Sequence, residues 1–267
     1  MNLLNNQILA IKSTILAGDA VLEVYNRDFK IDYKGDSSPL TEADLVSNKI
    51  INDVLSVTDI PILSEENKMV DYSLRKDWDS CWIVDPIDGT KEFIKKNGEF
   101  TINVALVSEG KTKLGVIYVP VTRELYYTND SKTNSFKTVV PEGDYELSEI
   151  LFKEEDKNIP SKDDKASLNV VGSRSHMNDE TLEFVENLKT EYKEVNIVSK
   201  GSSLKFCLVA EGKADVYPRF APTMEWDTAA GQAICEAAGL KVIDQETKQT
   251  MVYNRENLLN SYFLVTK

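Results

Sequence analysis

The sequence predicts an α/β (α+β) protein of two closely packed lobes, the first an antiparallel meander flanked by helices, the second alternating strands and helices. Three observations lead there. A chain of 267 residues is too long for a minimal domain and short for two independent ones. Its middle third carries strand-length runs of alternating or β-branched residues separated by turn residues. Past residue 165, short apolar runs alternate with helix-length segments, as in layered α/β structures.

Each element follows in order. From Asn5 to Tyr25, Ile8, Ile11, Ile15, Leu16, Leu22 and Val24 recur at near-helical spacing and predict an amphipathic first helix. In SSPLTEADLVSNKIINDVLS, hydroxyl and acidic residues precede Leu45, Ile50, Ile51, Val54 and Leu55, which reads as a helix start leading into a buried face. Pro61 to Leu63 reads as a short strand running to Glu65 and Glu66, and Cys81 to Val84 as a second. The second breaks at Asp-Pro and Asp-Gly before the helix-compatible TKEFIKK. Phe100 to Val107, Leu114 to Val119 and Glu124 to Thr128, with turns marked by Gly110 and Pro120, predict the meander.

Between Thr128 and Asp164 the chain turns polar and acidic and is read as a mobile loop or lobe boundary, dividing residues 1–160 from residues 161–267. Strands are then expected at LNVVG, VNIVS, ADVY, LKVI and YFLVT. Helices are expected near Asn178 to Thr190, Ser202 to Glu211 and Trp226 to Ala238.

Composition removes several functions. With 42% hydrophobic and 28% charged residues, the chain is neither disordered, collagenous nor a coiled coil. Its 31 Lys and Arg against 44 Asp and Glu leave a net charge of −13, which disfavours nucleic acid polymers and anionic membrane surfaces at long range. Cys81, Cys207 and Cys235 lack paired zinc or redox spacing, so a reduced, cytoplasmic chain is expected. No apolar run approaches the ~18 residues of a membrane span, and the N-terminus has no secretory pattern. A single histidine, His176, excludes serine triads and multi-histidine metal sites.

The remaining chemistry gathers around carboxylates. Asp85 and Asp88 flank Pro86 and Ile87 at a strand end, where a turn would aim both carboxylates at one point and free the Ile87 carbonyl. Three hard oxygens within four residues suit Mg²⁺, although Asp-Pro and Asp-Gly are also ordinary turn pairs. Gly89 and Thr90 open a helix-like segment whose N–H groups could face an anion. Of Glu65 and Glu66, one is a candidate third carboxylate, and a solvated acidic pair is the plainer alternative. Asp227 reads either as a helix cap or as a fourth metal carboxylate. Lys205, Arg219, Arg174, His176 and the hydroxyls of GSSLK suggest an anion subsite in the second lobe, while isolated cations are more often solvated surface residues.

WIVDPIDGTKEF, the SEE at Ser64 to Glu66, PLTEAD at Pro39 to Asp44 and WDTAAG at Trp226 to Gly231 together resemble the lithium-sensitive, magnesium-dependent inositol monophosphatase superfamily, across nearly the whole chain. DGTKEFIKKNGEFT, GSSLKFCLVAEGKADVYPRF and SRSH are similar to its bacterial CysQ branch, the 3′(2′),5′-bisphosphate nucleotidases, whereas inositol phosphatases typically carry DGTTNF. The resemblance implies a layered αβαβα sugar-phosphatase fold with a cluster of two or three Mg²⁺ ions between the lobes, inhibited by Li⁺ and Ca²⁺. Glu65, Asp85, the Ile87 carbonyl, Asp88 and Asp227 would be metal ligands. Asp44, Thr90 and Glu65 would orient and activate water. Asp88, Gly89, Thr90 and Asp227 would also face the substrate, whose 5′-phosphate and adenosine end would lie against His176, Ser202, Lys205 and Arg219.

The implied reaction is hydrolysis of the 3′-phosphate of adenosine 3′,5′-bisphosphate to AMP and phosphate, in support of sulfate assimilation. Adenosine 3′-phosphate 5′-phosphosulfate would be a further substrate, since its reacting end is identical. Inositol monophosphate and fructose 1,6-bisphosphate are the alternative substrates, and a non-catalytic nucleotide- or metal-binding regulator is the alternative of another class. A monomer or homodimer without integral membrane association is implied, some related bacterial enzymes being loosely attached to the inner membrane.

Overall fold

The computed structural model describes residues 2–35, 38–158, 160, 166–172 and 178–267. Helix α1 (Leu3–Tyr25) starts where the Asn2 side chain accepts from the Asn5 N–H, and Ala10, Ile11, Ala17 and Val21 form its buried stripe. A hairpin of β1 (Ile31–Tyr33) and β2 (Pro39–Thr41) feeds α2 (Glu42–Leu55). The entry is a capping box: Thr41 Oγ1 accepts from the Ala43 N–H, and Asp44 accepts from the Thr41 N–H. Then come β3 (Ile62–Ser64), the single turn α3 (Tyr72–Arg75), β4 (Ser80–Asp88), the short α4 (Thr90–Ile94), β5 (Thr101–Ser108), β6 (Lys111–Val119), β7 (Glu124–Thr128) and β8 (Ser135–Val139). Six of these strands form one sheet in the order β3-β4-β5-β6-β7-β8, with β3 and β4 parallel and every other pair antiparallel.

The acidic stretch after Thr128 is therefore not simply a loop. It supplies β8 and a helical turn, α5 (Leu147–Ile150). Phe136 stacks on Tyr127 with ring centroids 5.4 Å apart, Phe152 meets Tyr127 edge-on, and Ile150 and Leu151 join the core beneath α1. A few buried apolar positions outweigh the polar composition between them. The expected boundary around residues 161–165 lies outside the described residues.

In the second half, β9 (Ser167–Gly172) pairs in parallel with β10 (Glu194–Ser199), joined through α6 (Asp179–Leu188). After α7 (Leu204–Ala210), β11 (Tyr217–Arg219), α8 (Glu225–Ala237), β12 (Lys241–Asp244) and β13 (Phe263–Thr266), the strands form a second small sheet with β13 in the middle. The strand expected at ADVY starts at its last residue, because Val216 makes only an isolated bridge to Val170.

Alternation along the large sheet explains the layers. Trp82, Val84, Val104, Leu106, Val116 and Tyr118 face α1 and α2, while Cys81, Ile83, Ala105, Val107, Ile117 and Val119 face α7, α8 and the β11–β13 sheet. Val185 of α6 packs with Val170 and Val216 on the far side of the small sheets. The result is helix, sheet, helix, sheet, helix. Cys81, Cys207 and Cys235 are buried free thiols within this core. Among the described residues no helix is long and apolar enough to cross a membrane.

Helix α8 lies against β6 so closely that a Cβ on Gly115 would stand 2.5 Å from the Ala230 carbonyl oxygen and 2.7 Å from the Ala233 Cβ. Gly115→Ala is expected to destabilise the chain by about 1–3 kcal/mol, the usual cost of overpacking. Thermal denaturation checks it, and an unchanged melting temperature would contradict this packing.

Candidate active site

Strand β4 delivers two carboxylates at its C-terminal end. Asp85 pairs with Asn103 and Asp88 with Thr101, so β4 holds one residue more than β5 between these pairs, and the resulting bulge lifts Pro86 and Ile87 out of the ladder. The bulge is tied down on both sides. Ile87 N–H donates to Asp85 Oδ1 at 3.1 Å, and the Ser47 hydroxyl of α2 donates to the Pro86 carbonyl at 2.7 Å. The sequence places the strand end at Val84, but here both aspartates belong to the strand, which is why their spacing is rigid.

Three other segments converge on this end. Glu65 continues β3, its N–H donating to the Val84 carbonyl at 3.2 Å. Asp44 sits in the first turn of α2, with Oδ2 holding the Thr41 N–H and hydroxyl, each at 2.7 Å, while Oδ1 accepts from the Thr90 hydroxyl at 3.3 Å. Asp227, in the first turn of α8, accepts from the Met224 N–H at 2.8 Å. Gly89 precedes Thr90 with φ +94°, a left-handed conformation open to glycine, and a Cβ there would meet the Glu99 carbonyl at 3.2 Å.

Electrostatics marks the same place. Burial pushes Asp85, 1% exposed, well above its ordinary range, with the negative charges of Glu65, Asp88, Asp227 and Asp44 adding to the shift. Burial and then the Asp88 charge push Asp227 up to about 8. Burial likewise raises Asp44 against the lowering effect of its Thr41 hydrogen bonds. Burial raises Glu65, although Lys34 works in the opposite direction.

Lys34 follows β1, and its ammonium donates to Glu65 at 2.7 Å and also to Glu66. Burial acts to lower Lys34, but these two partners outweigh it and the group is raised. Among the described residues no ion pair reaches Asp85, Asp88 or Asp227. Nor do three acidic, histidine or cysteine side chains there already stand close enough to enclose an ion. Crowded hard oxygens with their charge unpaid fit a divalent cation. Glu65, Asp85, Asp88 and Asp227 are the side chains that would hold such a cation, Glu65 now being paired with Lys34.

Asp88 and Asp227 also line a cavity of about 130 Å³, which they share with Lys91, Glu92, Ser202, Lys205, Tyr217 and Arg219. Lys205 is 6% exposed. Its ammonium donates to the Ser202 and Lys200 carbonyls and lies 5.8 Å from the Tyr217 ring centre. Burial lowers Lys205 to about 8, with Arg219 adding to the fall and Asp88 opposing it. Arg219 donates to the Pro222 carbonyl at 3.0 Å.

Of the residues singled out in the sequence, Asp44, Glu65, Asp85, Ile87, Asp88, Gly89, Thr90 and Asp227 thus gather at one end of β4, and Ser202, Lys205 and Arg219 line the adjoining cavity. His176 and Arg174 lie outside the described residues. Sequence reasoning missed Lys34 and also Asn103, which hydrogen-bonds Ser203. Ser203 was legible as the neighbour of Ser202 in GSSLK, and Asn103 shares a strand face with Thr101 by period-two alternation, but nothing in the sequence links Lys34 to glutamates about thirty residues away.

The chain belongs to the inositol monophosphatase family, whose sequence profile matches residues 5–264. Within it, the chain is similar to the 3′(2′),5′-bisphosphate nucleotidase CysQ of Salmonella typhimurium, 45% identical over 257 residues that cover 94% of this chain and 95% of that protein. It is also similar to the crystal structure of CysQ from Bacteroides thetaiotaomicron, with a TM-score of 0.86, 46% identity, and coverage of 98% and 97% of the two chains. A staphylococcal inositol monophosphatase, described as a lithium chloride-soaked inhibitory complex, shares the fold with a TM-score of 0.76 at 19% identity, covering 100% of this chain and 91% of that one.

Proposed function

We propose that this chain is a Mg²⁺-dependent 3′(2′),5′-bisphosphate nucleotidase that hydrolyses the 3′-phosphate of adenosine 3′,5′-bisphosphate to AMP and phosphate. One observation carries the reading: Asp88 and Asp227, at the edge of the crowded carboxylates, line one small cavity together with the buried ammonium of Lys205 and with Arg219. A phosphate bridged to a cation suits the carboxylates, and a second phosphate on the same molecule suits Lys205 and Arg219. Adenosine 3′-phosphate 5′-phosphosulfate would present the same reacting end, and either substrate places the chain in sulfate assimilation. Identity of 30–46% to CysQ proteins, against 18–22% to inositol phosphatases, supports this branch.

Glu65, Asp85, the Ile87 carbonyl, Asp88 and Asp227 would hold the ions. Bound there, Mg²⁺ supplies charge neutralisation at the phosphate and a more acidic water. The chain's own part begins at Thr90. Its hydroxyl donates to Asp44 Oδ1, leaving an oxygen lone pair to accept a proton from the attacking water while its own proton passes to Asp44. The other oxygen of Asp44 is occupied by Thr41, so only Oδ1 is available for this role. Burial, by raising Asp44, makes it the better proton acceptor, and relays of this kind contribute about 10²–10⁴-fold. Gly89 lets the phosphate approach the backbone at the start of α4. Lys205, Arg219, Ser202 and His176 would hold the 5′-phosphate and adenosine end. Residues 1–160 would then contribute most of the ion ligands and residues 161–267 the nucleotide subsite with Asp227. The enzyme would act in the cytoplasm as a monomer or homodimer.

Phosphate release from adenosine 3′,5′-bisphosphate, inositol 1-phosphate and fructose 1,6-bisphosphate tests the reading. Highest kcat/KM on the bisphosphate nucleotide is expected, with activity lost in chelator and reduced by Li⁺ or Ca²⁺. Preference for either other substrate, or full turnover in chelator, would overturn it.

A further inference from the structure

Asp88 stands at the end of a hydrogen-bond chain that begins in the nucleotide end of the cavity. Ser202 Oγ lies 2.6 Å from Thr101 Oγ1, and Thr101 donates its single hydroxyl proton to Asn103 Oδ1 at 2.9 Å. The proton between the two hydroxyls therefore comes from Ser202. Asn103 Nδ2 donates to Ser203 Oγ at 3.0 Å and, more weakly, directly to Asp88 Oδ2 at 3.5 Å, and Ser203 donates to the same Asp88 Oδ2 at 2.7 Å. The Asp227 carbonyl, 3.0 Å from Ser203 Oγ, is the competing but neutral acceptor. Thr101, Asn103 and Ser203 are closed to water, so the direction of the chain is fixed by donor count.

Its placement is not that of ordinary packing. Thr101 and Asp88 are register partners just past the β4 bulge, so two adjacent serines from the second half of the chain grip both strands there. Ser202 holds a left-handed backbone with φ +52°, a conformation that costs energy in a non-glycine residue and calls for a compensating bond.

We propose, on the reading of the site given above, that Asn103 and Ser203 are positioning residues that couple the nucleotide end of the cavity to Asp88. An anionic oxygen arriving at Ser202 takes its proton in a hydrogen bond. Thr101 then loses its incoming donor, each later bond in the chain weakens because such bonds polarise one another, and more negative charge is left on Asp88 Oδ2. A nucleotide phosphate at one end thereby strengthens cation binding at the other, and by linkage the cation strengthens nucleotide binding equally.

Calorimetric titration with Mg²⁺, in the presence and absence of AMP, measures this without turnover. In the parent protein AMP is expected to tighten Mg²⁺ binding by about fivefold or more, the range of ordinary coupling energies. Ser203→Ala and Asn103→Ala should lose most of that enhancement, and Ser203→Thr, which keeps the hydroxyl, should retain it. Ser202→Ala, at the cavity wall, tests the same chain from its open end if the buried variants do not fold. No enhancement in the parent, or full enhancement in folded Ser203→Ala, Asn103→Ala or Ser202→Ala, would overturn the coupling. Failure of the nucleotidase reading shows separately, as a parent protein that binds Mg²⁺ and AMP but releases no phosphate from the bisphosphate.

Discussion

Asp85→Asn is expected to lose roughly 10³-fold or more in kcat/KM, since a cation ligand supports several kcal/mol of transition-state charge stabilisation, while the protein in chelator melts no lower than the parent. The second half of the prediction follows from the buried carboxylate. Burial, then repulsion from Glu65, Asp88, Asp227 and Asp44, raises Asp85 well above 3.8, so the folded state binds a proton more tightly than the unfolded one. Stability contributed by that group therefore falls as pH rises from 3.8 toward the raised value. At neutral pH without a cation, the parent carries this cost and Asn does not. The amide oxygen can still accept from Ile87 N–H, so the bulge keeps its tie. Activity and differential scanning calorimetry in EDTA check both halves. An unfolded variant, or one with near-parental turnover, would show that Asp85 serves the fold alone.

Lys205→Ala is expected to raise KM for adenosine 3′,5′-bisphosphate about 10–100-fold, the worth of a charge-assisted hydrogen bond of ~1.5–3 kcal/mol, and to leave KM for adenosine 3′-monophosphate nearly unchanged. The pH dependence has a definite sign. Burial lowers Lys205 from 10.5 to about 8, so the free enzyme loses this positive charge as pH passes about 8, and KM for the bisphosphate should rise there. Folding stability behaves oppositely: the penalty for burying the ammonium is fully present below about 8 and fades toward 10.5, where the unfolded chain also deprotonates. Steady-state kinetics from pH 6 to 9.5 on both substrates checks the split. Equal effects on the two would remove Lys205 from the 5′-phosphate subsite.

Local chemistry was well expressed in the sequence. Thr41 and the acidic residues Asp44 and Asp227 announced the starts of α2 and α8, and period-two alternation announced β5, β6 and β7. The Asp-Pro-Ile-Asp spacing marked both aspartates, which the structure sets on either side of one bulge at the end of β4. What failed to show was whatever depended on a distant partner. Strand β8 was hidden because its stability comes from pairing with β7 and from Phe136 on Tyr127, not from its own polar composition. The Asp88 end of β4 was hidden because turn dipeptides look the same inside a bulge as inside a loop.

The sequence by itself determined which oxygens and cations exist, their local spacing, and the helix starts and strand ends that present them, since these are set by neighbours a few residues apart. Tertiary structure alone decided that Asp227 and Ser203 reach Asp88 from the other half of the chain, that Lys34 settles on Glu65 and Glu66, and that Asn103 links two hydroxyls into one directed chain. The reason is physical. A side chain's charge state and hydrogen-bond direction depend on the groups that burial brings against it, and those groups are fixed only when the layers close.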